Sequence, residues 1–146
     1  MIEYTTDFIK AYGHPNIKAT HKTTFEITKE DYLTPRGDCI IAIKADKAAA
    51  DLNPHLKNLL KKENTILIIQ LQVGDAHDTI IAKGNPNLTL TSKTSIVIRK
   101  STYIDNRTIA IKANKAAKNI NRKLINYLKN KNQIINIRLI AIHITQ

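Results

Sequence analysis

"ADKAAADLNPHLKNLLKKEN", residues Ala45–Asn64, and "ANKAAKNINRKLINYLKNKN", residues Ala113–Asn132, read as two versions of one stretch. A shift of 68 positions lays Ile41–Val73 over Ile109–Ala141, with 17 of 33 residues identical. Outward from there, a shift of 71 lays Phe8–Tyr32 over Thr79–Tyr103, with 11 of 25 identical. The difference of three residues is absorbed where the first copy has the longer connection "LTPRGDC" (Leu33–Cys39). Insertions settle in loops, so the two offsets support each other. Self-similarity at a fixed spacing predicts a tandem duplication, with repeats over 8–73 and 79–146.

Each repeat predicts the same elements. A short strand (Phe8–Tyr12 or Thr79–Lys83) enters a Gly-x-Pro-Asn turn and continues as a long alternating strand, a hairpin pattern. In that strand Ile17, Ala19, Phe25 and Ile27 share one parity, as do Leu88, Leu90, Ile96 and Ile98, so one face is buried. A third strand follows at "CIIAIKA" or "TIAIKA". Asp46 and Asn114 then suit a first-turn cap, and Asn53-Pro54 reads as cap and first helical residue. The helix turns Leu56, Leu59 and Leu60 inward, matched by Leu124, Tyr127 and Leu128, and a last strand, "ILIIQLQV" or "IINIRLIA", closes the unit. One unit is too small for a stable core of its own. The expected fold is therefore α+β and β-rich: one domain over residues 1–146, in which two β-hairpin-β-α-β units form a pseudo-twofold, barrel-like structure flanked by two helices. Such a pairing is similar to double-psi and related cradle-loop barrels, a likeness of fold that carries no function.

Apolar runs such as "ILIIQLQV" are too short to span a bilayer, and "MIEYTTDF" lacks the basic start and apolar stretch of a signal peptide. The expectation is a cytoplasmic protein without a membrane partner. The single cysteine, Cys39, has no partner for an internal disulfide. The net charge is +11, unevenly spread: Met1–Val73 holds ten Lys or Arg against nine Asp or Glu, and Gly74–Gln146 holds thirteen against three. A basic surface attracts phosphate-rich partners through steering and counterion release. The four glycines, Gly13, Gly37, Gly74 and Gly84, never cluster, so there is no phosphate loop, and no cofactor is expected.

"GHPNIKATHKTTFEIT" (Gly13–Thr28) and "LTPRGDCIIAIKADKAAADL" (Leu33–Leu52), with the overall length, resemble an archaeal family known only as domain of unknown function 371. The resemblance covers nearly the whole chain and is most specific from His14 to Asp46. It implies a small archaeal cytoplasmic protein and carries over no catalytic residues.

The copies share a scaffold and differ in chemistry. The first has His14, His21, Glu26 and Asp46 where the second has Asn85, Ser92, Val97 and Asn114, and its inserted loop adds Arg36, Asp38 and Cys39. Parity turns His21 inward with Thr23 beside it, and Ser92 and Thr94 hold the matching places, so two polar pairs are expected to meet near the axis. The leading expectation is a small anionic ligand, bound there and open to transformation, with His21, His14, Asp38 and Cys39 as reactive groups and Arg36, Thr23, Ser92 and Thr94 as binding groups. A metal site from His14, His21, Asp38 and Cys39 matches no zinc spacing, so no metal is expected. The alternative is sequence-independent RNA or DNA binding, with Lys115, Lys118, Arg122 and Lys129 as one cationic stripe of the second helix opposite Leu124 and Leu128. Aromatic residues are only 5% of the chain and none interleaves with that stripe, so base stacking has little support there. The oligomeric state is left open.

Overall fold

The computed structural model describes residues 1–145. In chain order its elements are β1 (Ile2–Tyr12), β2 (Thr24–Thr28), β3 (Ile40–Ala42), α1 (Pro54–Leu60), β4 (Thr65–Val73), β5 (Ala76–Lys83), β6 (Ser95–Arg99), β7 (Thr108–Ala110), α2 (Arg122–Tyr127) and β8 (Ile134–Ile144). A 3₁₀ turn precedes each helix, at Ala49–Asp51 and Ala117–Asn119. The fold is α+β and strand-rich, and the two halves of the chain carry the same order of elements.

The helices begin where capping chemistry allows. The Asn53 side chain accepts from the Leu56 amide at 2.7 Å, and Pro54 at the first helical position gives up an amide that has no partner there anyway. Asn121 accepts from the Lys123 amide at 3.0 Å. Spacings of three and four bury Leu56, Leu59 and Leu60 on α1, and Leu124 on α2 is buried with Leu128, which follows it. Tyr127 is half-buried, and its hydroxyl donates to Asp75 at 2.8 Å. Asp46 and Asn114, expected to cap a first helical turn, cap sheet edges instead: they accept from the amides of Lys10 (3.0 Å) and Ile81 (2.9 Å). Pairing the outer edges of β1 and β5 this way keeps them from recruiting another strand.

The strands form two four-stranded sheets. The first is antiparallel throughout, in the order β1-β8-β4-β5. The second has the order β3-β2-β6-β7, with β2 and β6 antiparallel at its centre and β3 and β7 parallel to them at its edges. In β4, strict alternation sends Leu67, Ile69, Leu71 and Val73 inward. They join one continuous core that also takes Ile9, Phe25 and Ile27 from the first half and Ile96, Leu124 and Ile137 from the second.

Two expectations are corrected. The sheets do not close into a barrel. Each keeps two edge strands, and among the described residues the sheets are linked by the isolated bridges Tyr12↔Ile43 and Lys83↔Ile111. The hairpins expected within each repeat do not form, because β1 pairs with β8 and β2 with β6; the tight hairpin joins β4 to β5, across the two repeats. Ala19 (φ 51°) and Leu90 (φ 55°) adopt the left-handed conformation, which turns the chain out of any strand between Ile17 and Phe25, or between Leu88 and Ile96. Gly13 and Gly84 are required for a different reason: a Cβ on either would strike a backbone carbonyl at the end of the other half's helix, that of Leu128 or Leu60. The next amides, of His14 and Asn85, donate to those same carbonyls at 2.8 Å.

Candidate functional site

The left-handed turn decides what the first-half histidines do. His21 does not point into the core. Its ring is half-exposed, and Nδ1 accepts from the amides of Thr23 (3.2 Å) and Thr24 (3.1 Å), capping the turn that starts β2. Ser92 Oγ does the same for the amides of Thr94 (3.3 Å) and Ser95 (3.2 Å). Thr23 and Thr94 are exposed, so the expected inward polar pairs do not form. His14 Nδ1 likewise accepts from the Asn16 amide at 2.9 Å, the role Asn85 takes for Asn87 at 2.8 Å. These exchanges are turn chemistry: His, Ser and Asn each place an acceptor two or three bonds from Cα, within reach of an amide two residues on.

Asp38 lies next to His21 through its backbone, its carbonyl accepting from the Thr20 and His21 amides at 2.9 and 3.2 Å. Arg36 is exposed on the same loop. Cys39 donates its thiol to Glu26 Oε1 at 3.6 Å, and burial followed by the Glu26 charge pushes the thiol pKa up to about 12. That is the reverse of what a thiolate nucleophile requires. Among the described residues no three His, Cys, Asp or Glu side chains are arranged to hold a metal ion.

Glu26 opens onto a network that closes the outer face of the second sheet. Arg107 reaches Glu26 at 3.6 Å and Asp105 at 2.7 Å. Arg99 reaches Asp105 at 3.0 Å and donates from Nε to Thr108 at 3.0 Å. Burial raises the Asp105 pKa, but Arg107 and then Arg99 outweigh it and hold the carboxyl at about 2. Asp7 and Asp78 are held low in the same way: burial opposes their charge, and Lys47 or Lys115 at 2.5 Å together with two backbone amides outweighs it.

The cationic stripe is a further correction. Residues 115–129 are a loop, a 3₁₀ turn and a six-residue helix, so no single helix aligns the four cations. Lys115 is paired with Asp78. Arg122 spends its guanidinium on the carbonyls of Lys18, Ala19, Ala117 and Lys118 at 3.0–3.1 Å, tying the second half to the first. Lys118 and Lys129 are exposed, the first in the 3₁₀ turn and the second in the turn after α2.

What sequence reasoning missed is the outer face of the first sheet. The outward residues fall in rows across β1, β8, β4 and β5: Phe8–Arg138–Gln70–Thr79 and Lys10–Asn136–Gln72–His77. Phe8 is 59% exposed. The Arg138 guanidinium lies 5.9 Å from its ring centroid, and Lys10 Nζ lies 5.7 Å from that of Tyr12. The β1, β8 and β4 members of these rows line a depression of about 300 Å³, and Asp46 adds a carboxylate to its lining. A second depression, of about 420 Å³, opens at the other end of the sheet between Lys83, Lys112, Asn64 and Asn85. Neither is lined by His14, His21, Arg36, Asp38 or Cys39. The outward positions of "ILIIQLQV" and "IINIRLIA" carried the signal. Once their inward parity is assigned, they leave amides and an arginine on an exposed face.

Among the described residues no helix is long and apolar enough to cross a membrane. The family model for "Domain of unknown function (DUF371)" matches residues 9–142. An uncharacterized protein of Methanocaldococcus jannaschii is 51% identical over 127 residues, which is 87% of this chain and 93% of that protein. The chain belongs to this family, as its sequence resemblance implied.

Proposed function

We propose that this member of the family binds single-stranded nucleic acid on the outer face of the first sheet, with Arg138 and Lys10 holding phosphates and Phe8 offering a ring to an unstacked base. One observation carries the reading: an exposed aromatic side chain sits in register beside two cations and three side-chain amides, Gln70, Gln72 and Asn136, on an uncovered sheet face. Open sheets read single strands with this combination, stacking on an aromatic ring and neutralising the backbone nearby. The +11 charge supplies the long-range attraction. Binding is sequence-independent in its phosphate contacts, and the cationic groups are those of the sheet rather than Lys115, Lys118, Arg122 and Lys129 acting together.

A small anionic ligand is the second reading. The same cations and the 300 Å³ depression would hold one phosphate-bearing molecule. Placing that ligand at His14, His21, Arg36, Asp38 and Cys39, with Thr23, Ser92 and Thr94, draws support only from the exposed cation Arg36 and the half-exposed histidine rings. Titrating a fluorescent oligouridylate long enough to cross the sheet, with uridine monophosphate as competitor, separates the two readings. The nucleic-acid reading expects the oligomer to bind far more tightly than the monomer and Phe8→Ala to cost about 1–3 kcal/mol. Equal affinities would leave only the small ligand.

The architecture proposed with this function is one domain over 1–146 made of two repeats, 8–73 and 79–146. The registers support it. Glu26 pairs with Val97 and Gln70 with Arg138, and those partners lie 71 and 68 residues apart, the two sequence offsets. A pseudo-twofold axis through both pairs relates β2 to β6 and β4 to β8, and the reciprocal contacts of Gly13 and Gly84 obey it. A pseudo-twofold sheet has two equivalent ends unless the residues it relates differ, and here they do: Lys10 and Gln72 stand where the axis places Ile81 and Ile140.

A further inference from the structure

The apolar end of the first sheet's outer face has no role in the nucleic-acid reading. Its rows are Ile2–Ile144, Tyr4–Ile142–Ile66–Lys83 and Thr6–Ile140–Ile68–Ile81, so apolar side chains run across all four strands. Ile2, Tyr4, Ile66, Ile81 and Ile144 are between 36 and 68% exposed, and Ile68, Ile140 and Ile142 between them are half-buried. Scattered exposed isoleucines need no explanation. A contiguous sheet of them does.

We propose that this end of the sheet is the interface of a homodimer, two copies packing face to face about a twofold axis. Three features favour a second copy over other occupants. The first is composition. β-Branched isoleucine in neighbouring rows is what sheet-on-sheet packing uses, where two pleated faces interdigitate about 10 Å apart. The second is area. At about 200 Å² for a fully exposed large side chain, the five most exposed residues leave roughly 500 Å² uncovered per copy. With the half-buried isoleucines, two copies would bury about 1,100 Å² or more, where specific interfaces begin. The third is charge. The middle of the patch has none; Lys83 stands at its β5 edge, and Arg138 and Lys10 lie in the next rows, so a face-to-face pair keeps every cation at its rim in solvent. The interface leaves the Phe8–Arg138–Lys10 rows of each copy open, one on either side.

Two copies of a +11 chain repel, so the dimer tightens as salt screens them, the opposite of binding to an anionic polymer or lipid surface. The test is sedimentation velocity on the full chain, without nucleic acid, across a salt series at micromolar concentration. The expected result is a monomer–dimer equilibrium that shifts toward dimer with salt. Ile140→Lys should raise the dimer Kd at least about tenfold, as loss of a central interface residue does. Ile66→Thr with Ile142→Thr, which keeps β-branching on both strands, should weaken the dimer in the same direction with an unchanged circular dichroism spectrum. A monomer at every salt concentration would overturn the proposal. So would a dimer indifferent to both variants, or a monomer whose variants lose only binding to vesicles of anionic lipid.

Discussion

The outer faces of the two sheets start from the same alternation and end in opposite states. In the second sheet Thr24, Glu26 and Thr28 on β2 and Ser95, Val97 and Arg99 on β6 are all buried, and the loops over 29–39 and 100–107 bring Cys39, Asp105 and Arg107 to their polar groups. In the first sheet, among the described residues, the outward Phe8, Gln70, Gln72, Asn136 and Arg138 are exposed, so aromatic, amide and cationic side chains meet solvent. Among the described residues no buried side-chain nitrogen or oxygen lacks a hydrogen-bond partner, so the covered polar groups have all found structural work. The difference teaches where to look. Titratable residues concentrated in a sequence mark function only when the fold leaves them something to bind, and here the plain-looking face is the available one.

That contrast predicts unequal costs. Asp105→Ala strands the Arg99 guanidinium, which is nearly buried beside it, and should cost about 3 kcal/mol in urea unfolding, as breaking a buried ion network does. Gln70→Ala on the open face should stay within about 0.5 kcal/mol. Equal losses would mean that the two faces do not differ in burial. Acid titration separates them further. The Asp105 carboxyl is held near 2, below its unfolded value near 4, so its contribution is fully present above the unfolded value and is lost as pH falls through the folded one. Stability should therefore drop between about pH 4 and pH 2 by roughly 1–2 kcal/mol for this group, and Asp105→Asn should remove that part of the slope. Asp7 and Asp78, depressed in the same direction, leave a residual slope.

A smaller effect than at Asp105 is expected at His21. Because Ser92 caps the equivalent turn with its hydroxyl, His21→Ser should change stability by less than about 0.5 kcal/mol, while His21→Ala, which removes the acceptor, should cost about 1 kcal/mol. Neither should alter nucleic-acid affinity. A loss of binding in His21→Ser without a loss of stability would return the site to the first half of the chain.

Much of the architecture is legible in the sequence because it rests on local signals. Asn53-Pro54 announces α1, and the inward parity of "ILIIQLQV" announces β4. What fails depends on long-range geometry. Nothing local tells β1 that its partner is β8, and nothing in "IKATHKT" shows that Ala19 is left-handed, so one displaced residue turns His21 from an inward to a capping position. The four cations of the second half form a stripe only if residues 115–129 are one helix, and they are not. The open face is hidden in the sequence for a related reason: Phe8, Gln70 and Arg138 lie far apart along the chain and meet only through sheet register.

The central claim is that Lys10 and Arg138 on that open face hold phosphates. Its most direct test is the salt dependence of oligouridylate binding, by fluorescence anisotropy, for the wild type and the Lys10→Ala/Arg138→Ala variant. The wild type should bind with log affinity falling linearly in log salt. The double variant should keep its circular dichroism spectrum and show a slope shallower by about 1.4, as expected when two phosphates of a single strand are no longer neutralised. An unchanged slope, or no binding by the wild type even at low salt, would contradict it.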